Sequence, residues 1–293
     1  MIKYLEHKEI DFEKYDQCIA QSKNSLIYAY SWYLDVIAKN WDALVLADYE
    51  MVMPLTHRKK HGISYIFLPA WAQQLGVFSV KNLKESIVID FLKAIPRKFK
   101  VVDILLNYRN YCSMKNLKIR NNYILDLNSD YQLLYKNFTK GRKGSIKQGK
   151  KYGLIAKESI NADSLIELFL NNKGLKLNKP EQDYTTIRNL VSVALKNDKV
   201  KIYNVYDEDS LEIGGAIFLK DRNRITYLFS AVDEIGRDKQ AMSFLIDLII
   251  KEYAGQELIL DFEGSMIQGI ADFFKSFNAV QENYYWYATK RII

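Results

Sequence analysis

Between residues 200 and 230 the apolar and β-branched side chains fall into three short runs, Val200 to Tyr206, Ile213 to Leu219 and Arg224 to Ser230. The polar turns DEDSLE and KDRN separate them, and this alternation predicts an antiparallel meander of three strands. Ahead of the meander the period is helical. One helix is expected from Asn161 or Asp163, with Leu165, Leu168 and Phe169 on one face and a stop at Gly174. A second is expected over Asp183 to Asn197, where Ile187, Leu190, Val191, Ala194 and Leu195 make a stripe suited to lie on a sheet. Behind the meander, Gln240 to Tyr253 reads as a mostly buried helix, because Gln240, Ser243, Asp247 and Lys251 are its single polar stripe. The run LILDF, Leu258 to Phe262, predicts a central strand leading straight into Glu263, Gly264 and Ser265. Ser265 with Gln268 fits a capping box for the next helix, whose buried face is marked by Ile267, Ile270, Phe274 and Phe277 and whose left-handed stop is Asn278. A strand at about Val280 to Ala288 follows.

The first half reads in the same order. A shift of 162 residues sets Ile63 to Phe67 over Ile225 to Phe229, and Leu55 over Ile217. Helices are expected near Phe12 to Gln21, Ser31 to Lys39 and Leu83 to Ile95. Strands are expected at Ala43 to Asp48, Val52 to His57, Ile63 to Leu68 and Val101 to Leu106, with another at Asn122 to Leu127. The expected fold class is therefore α/β (α+β): two tandem duplicated units, 1–128 and 129–293, each a mixed, largely antiparallel sheet flanked by helices.

Composition supports an ordered globular chain: 48% of residues are hydrophobic and 26% charged, with only 4 Pro among 293. The 2 cysteines make no disulfide framework and no zinc spacing, and His7, His57 and His61 are scattered, so no metal is expected. The absence of a signal-like start or a long apolar run points to a cytoplasmic protein. The net charge of +7 is local. Lys136, Lys140, Arg142, Lys143, Lys147, Lys150 and Lys151 lie within one segment that holds no acid, and the rest of the chain balances. Such a run is either a solvated face or an anion-binding segment, and its glycines allow close approach to phosphate. No motif for reading nucleic-acid bases accompanies it.

Three stretches carry a family likeness: FTKGRKGSIKQGKKYGL (Phe138 to Leu154), DFEGSMIQGIADFFKSFNA (Asp261 to Ala279) and PAWAQQLGVF (Pro69 to Phe78). With the order of elements they resemble the GNAT acyltransferase superfamily, in particular the double-GNAT FemABX-like proteins, over nearly the whole chain. The resemblance implies transfer of an acyl group from acyl-CoA, or an aminoacyl group from aminoacyl-tRNA, to an amine acceptor such as a cell-wall precursor or another small molecule. It also places the donor's pyrophosphate at the helix start in Arg237 to Met242. There Arg237, Lys239, Gln240 and Ala241 are the expected donor-binding residues, although Gln240 and Met242 replace the small residues of the family pattern.

Acyl transfer needs a base for the amine, donors for the oxyanion and an acid for the leaving group. Glu263, at the end of the predicted central strand, is the expected general base, or else a carboxylate that offsets a helix N-terminus. Tyr227 and Ser230 are the other catalytic candidates. Arg142, Lys143, Lys147, Gln74 and Asp261 are the candidate substrate contacts, with strand alternation setting Asp261 on the same side as Glu263. The alternative function is a catalytically inactive GNAT-like binding module for a small anionic ligand or a protein partner.

Overall fold

The computed structural model describes residues 1–174, 180–264 and 266–290. They form two compact units: residues 1–121 with the segment from Glu282 onward, and residues 122–281.

In the first unit β1 (Ile2–Leu5), β2 (Trp41–Leu46), β3 (Met51–Lys60) and β4 (Ile63–Ile66) pair in sequence as antiparallel neighbours, and β5 (Phe78–Ser79) pairs with β3. β4 then pairs in parallel with β6 (Phe99–Leu106), and β6 pairs antiparallel with the end of β13 (Val280–Lys290). Helix α3 (Glu85–Ala94) buries Val88, Phe91 and Leu92 in a core with Met53, Leu55, Ile66, Phe99 and Val102. α1 (Phe12–Gln21), capped by Asp11, and α2 (Ser31–Ile37) bury Tyr15, Ile19, Tyr33 and Leu34.

The second unit has the same strand plan. β8 (Ile155–Ser159), β9 (Val200–Tyr206), β10 (Glu212–Lys220) and β11 (Arg224–Val232) pair antiparallel in order. β11 pairs in parallel with β12 (Ile259–Asp261), and β12 pairs antiparallel with the end of β7 (Leu117–Asp126). The edge strands β1 and β8 and the helices α4 (Tyr131–Asn137) and α5 (Lys140–Lys151) add to the elements expected from the sequence.

Alternation along β10 sorts the covering helices. A Cβ at Gly215 would touch Leu165 of α6 (Asp163–Phe169), whereas one at Gly214 would touch Ala241 of α9 (Ala241–Tyr253), so odd and even positions face opposite layers. α6 and α7 (Glu181–Lys196) thus lie on one face, and α9 lies on the other with α5. Ala216, Phe218, Leu245, Ile249, Leu260 and Phe262 share the core on the α9 side with Phe274 and Phe277.

Helix α5 is held there despite three glycines, which individually disfavour helix. Thr139 caps it, accepting from the Arg142 N–H at 3.2 Å. Gly149 comes so close to α9 that a Cβ would sit 3.0 Å from the Phe244 Cβ. The segment beyond Gly174 leaves the described residues, as does Ser265, so the capping box expected at Ser265 falls outside them. Asn278 does take the left-handed conformation, with φ 65°.

Candidate active site

β11 and β12 stay paired only from Arg224↔Ile259 to Thr226↔Asp261; beyond that β11 runs on to Val232 while β12 has ended. Past Thr226 the strand β11 therefore has no β12 partner. Along the same stretch β11 carries a β-bulge: Tyr227 lies opposite Phe218 and Phe229 opposite Ile217, leaving Leu228 without a register partner. The extra residue resets the alternation. Tyr227 and Ser230 therefore both line a cleft of about 390 Å³, while Phe229 packs against Phe169 of α6 with ring centroids 5.1 Å apart.

Burial pushes the Tyr227 phenol up to about 12, opposed by the neighbouring Ser230 hydroxyl, so the O–H stays intact at neutral pH. The rest of the cleft is built by three further helices. α8 (Glu234–Asp238) contributes Gly236 and Arg237, and the first turn of α9 contributes Met242 and Ser243 behind Gln240. Gly236 is demanded by packing: a Cβ there would run into the Ile213 carbonyl oxygen. The opposite wall is α10 (Gln268–Lys275), through Gly269, Ile270, Phe273 and Phe274.

Arg142 joins this site from α5. Its guanidinium stacks 4.1 Å over Phe273 and 4.7 Å over Phe277, donates to Ser276 Oγ at 2.8 Å, and donates to Ser243 Oγ. Burial lowers its pKa to about 10, and among the described residues no carboxylate pairs with it. A half-buried cation held by hydroxyls and ring faces alone is suited to receive an anion.

No family model matches the chain, and no curated protein matches its sequence. Solved structures do match. FemX superposes with a TM-score of 0.70 at 12% identity, covering 97% of this chain and 96% of FemX. The C-terminal domain (DUF2156) of a putative lysylphosphatidylglycerol synthetase from Agrobacterium fabrum gives 0.57 at 10% identity, covering 95% of this chain and 91% of that one. L-PGS from Bacillus licheniformis gives 0.55 at 12% identity, covering 96% and 92%.

The chain has a FemABX-like GNAT fold. Gln240 adopts φ 65°, a left-handed turn made without glycine, the residue that takes it most cheaply. No side chain caps α9 at its start.

Of the residues singled out from the sequence, Tyr227, Ser230, Arg237 and Gln240 meet in this cleft, and Arg142 adjoins it. Ala241 is fully buried beneath it. Lys239 is turned to other work: it bonds Asp207 at 3.1 Å and Glu208 at 2.9 Å, and the Glu208 pairing raises its pKa. Lys143 and Lys147 lie on the outer side of α5, where Lys143 Nζ donates to the Lys136 carbonyl at 2.7 Å. Gln74 belongs to the first unit, fully buried, with its Oε1 accepting from the Tyr108 N–H at 3.1 Å.

Asp261 is fully buried, paired with Arg224 at 2.6 Å and with Asn122 Nδ2 at 3.0 Å. Its Oδ1 also accepts from the Glu263 N–H at 2.9 Å. β12 ends at Asp261 and Glu263 turns left-handed with φ 56°, so strand alternation no longer relates the two carboxylates. Ile267 and Ile270, expected in the core, are 64% and 42% exposed; Ile270 borders the cleft instead.

The first unit has a polar cleft of its own, about 400 Å³, which the scattered histidines did not foretell. His57 Nε2 lies 2.9 Å from Asp42 and His7 Nε2 lies 3.0 Å from Asp35, both pairs bordering it. Among the described residues no group of three or more His, Cys, Asp or Glu side chains is disposed to hold a metal.

Proposed function

We propose that the protein is an N-acyltransferase that moves an acyl or aminoacyl group from acyl-CoA or aminoacyl-tRNA to an amine acceptor, with the cleft of the second unit as the donor site. The observation that carries this reading is the parting of β11 from β12 with Tyr227 and Ser230 on one wall. The amine lone pair attacks the donor carbonyl, a C–N bond forms, and the bond to sulfur or ribose oxygen breaks. Glu263, which stands outside the residues lining the cleft, is the proposed base: it takes the amine's proton and passes it through solvent to the departing thiolate or alkoxide, to which the Tyr227 O–H is hydrogen-bonded. Arg142, Arg237 and the uncapped start of α9 face the donor's phosphates. The matching strand plans of the two units support their origin as copies. A cytoplasmic site of action is part of the proposal; among the described residues no helix is long and apolar enough to cross a membrane.

The aminoacyl-tRNA branch has its own support in α5. Lys140, Lys143, Lys147 and Lys151 recur at i, i+3, i+7 and i+11, a cationic stripe along one helical face. Contact with an RNA backbone there predicts affinity that falls steeply with added salt.

A thermal-shift comparison of acetyl-CoA, longer acyl-CoAs and charged tRNA tests the reading, since a ligand of the native state raises the melting temperature. A rise with at least one donor is expected. No rise with any of them favours an inactive binding module. In an assay of transfer, Glu263→Gln is expected to abolish the acid limb of the pH–rate profile and lower turnover by about 10²-fold or more; an unchanged profile removes Glu263 as the base.

A further inference from the structure

Building on the acyltransferase reading, we propose that the transferred group is an apolar acyl chain lying along α10, with its phosphate-bearing carrier held at Arg142 and the first turn of α9. Two features of the cleft lead there. The first is its sign of charge. Its ionic side chain is Arg237, Arg142 stands just behind Ser243, and no carboxylate is among the described residues that line it. An aminoacyl group brings an ammonium, which along this lining would be desolvated beside like charge, because Glu263, the proposed base, is not among the lining residues. A phosphate meets two guanidinium groups and unbonded helix amides instead.

The second feature is the apolar share of the lining. Val232, Met242, Ile270, Phe273 and Phe274 present hydrocarbon to the interior, and about 390 Å³ lies at the small end of the roughly 300–1,000 Å³ usual for ligand pockets. Ile267 and Met266, which precede Ile270 by three and four residues, are 64% and 59% exposed and extend the apolar surface beyond Ile270 along the chain. The chain would therefore enter past Ile270 and run inward to Phe273 and Phe274, bringing its carbonyl toward Tyr227 and Ser230. Transfer then breaks the C–S bond of the thioester and forms the amide C–N bond, with the amine's proton ultimately on the freed thiol.

Calorimetric titration of the full chain with CoA and with acetyl-, octanoyl- and dodecanoyl-CoA tests this. Affinity is expected to rise by up to about 4-fold per buried methylene until the chain outruns the cleft. Ile270→Asn, at a position already 42% exposed, is expected to weaken dodecanoyl-CoA by at least about 10-fold while leaving the affinity for CoA itself unchanged, which also reports that the variant is folded. Equal affinity for all four ligands overturns the apolar-chain assignment and leaves acyl-CoA as donor. Binding of charged tRNA without any thioester also overturns it, while sparing transfer to an amine. Binding of no donor at all removes both.

Discussion

Tyr227 and Ser230 stand three residues apart on one strand and nevertheless face the same cleft. In a regular strand such a pair would point to opposite sides, and the bulge at Leu228 is what turns them together. Tyr227 contributes an O–H that burial keeps protonated to about 12, and Ser230 supplies a second hydroxyl beside it.

Tyr227→Phe should therefore lower turnover by about 10- to 100-fold with little change in KM, because a donor used at the transition state is lost without disturbing ground-state binding. Ser230→Ala should act in the same direction and more weakly. Steady-state kinetics on both variants, with melting curves to confirm folding, check this; an unaltered turnover in Tyr227→Phe removes the hydroxyl from the reaction.

The turn from β11 into α9 makes a different prediction, about stability. At Gly236 a Cβ would collide with the Ile213 carbonyl, so Gly236→Ala should cost on the order of 2 kcal/mol through forced displacement of α8. At Gln240 the preference runs the other way: its φ of 65° suits glycine, and Gln240→Gly should exceed Gln240→Ala in stability by about 1 kcal/mol. Denaturant midpoints of the three variants measure both effects.

Much of this geometry was legible from residue patterns and some of it was not. The meander β9 to β11, helix α9 and the left-handed Asn278 follow from periods and stop residues that act locally. The bulge at Leu228 leaves no such mark, since LFS reads as ordinary alternation. Helix α5 was obscured for a physical reason: Gly141, Gly144 and Gly149 lower intrinsic helicity, and only the tertiary approach to Phe244 shows what Gly149 is for. Arg142 and Lys239 looked alike as cations in polar segments. Their difference lies in partners distant along the chain, Ser243, Ser276 and two phenylalanine rings for one, Asp207 and Glu208 for the other. Alternation sets Glu263 on the side of Asp261, but β12 ends at Asp261 and the alternation does not reach Glu263.

The polar cleft of the first unit makes stability depend on pH. Although burial opposes it, Asp42 has a lowered pKa, because His57, the Tyr4 hydroxyl and the His7 N–H all favour its carboxylate. A carboxylate with a depressed folded-state pKa contributes stability that is present above its unfolded value, about 4, and is lost as pH falls through the lower folded value. Asp42→Asn should therefore reduce stability at neutral pH by on the order of 2 kcal/mol and flatten the loss as pH falls below about 4. Chemical denaturation across that range decides it; parallel curves for the two proteins would exclude Asp42 as the titrating group.

The end of β13 closes the sheet of the first unit against β6, through pairs from Tyr285↔Leu106 to Lys290↔Val101, although the chain between them has built the whole second unit. On the ribosome this reverses the usual order of completion. Residues 122–281 emerge as one uninterrupted stretch able to fold on their own schedule, while the earlier-made β6 waits with an open flank until the last of these partners has been translated. Emergence of residues 285–290, rather than synthesis of its own first residues, then becomes the event that finishes this unit.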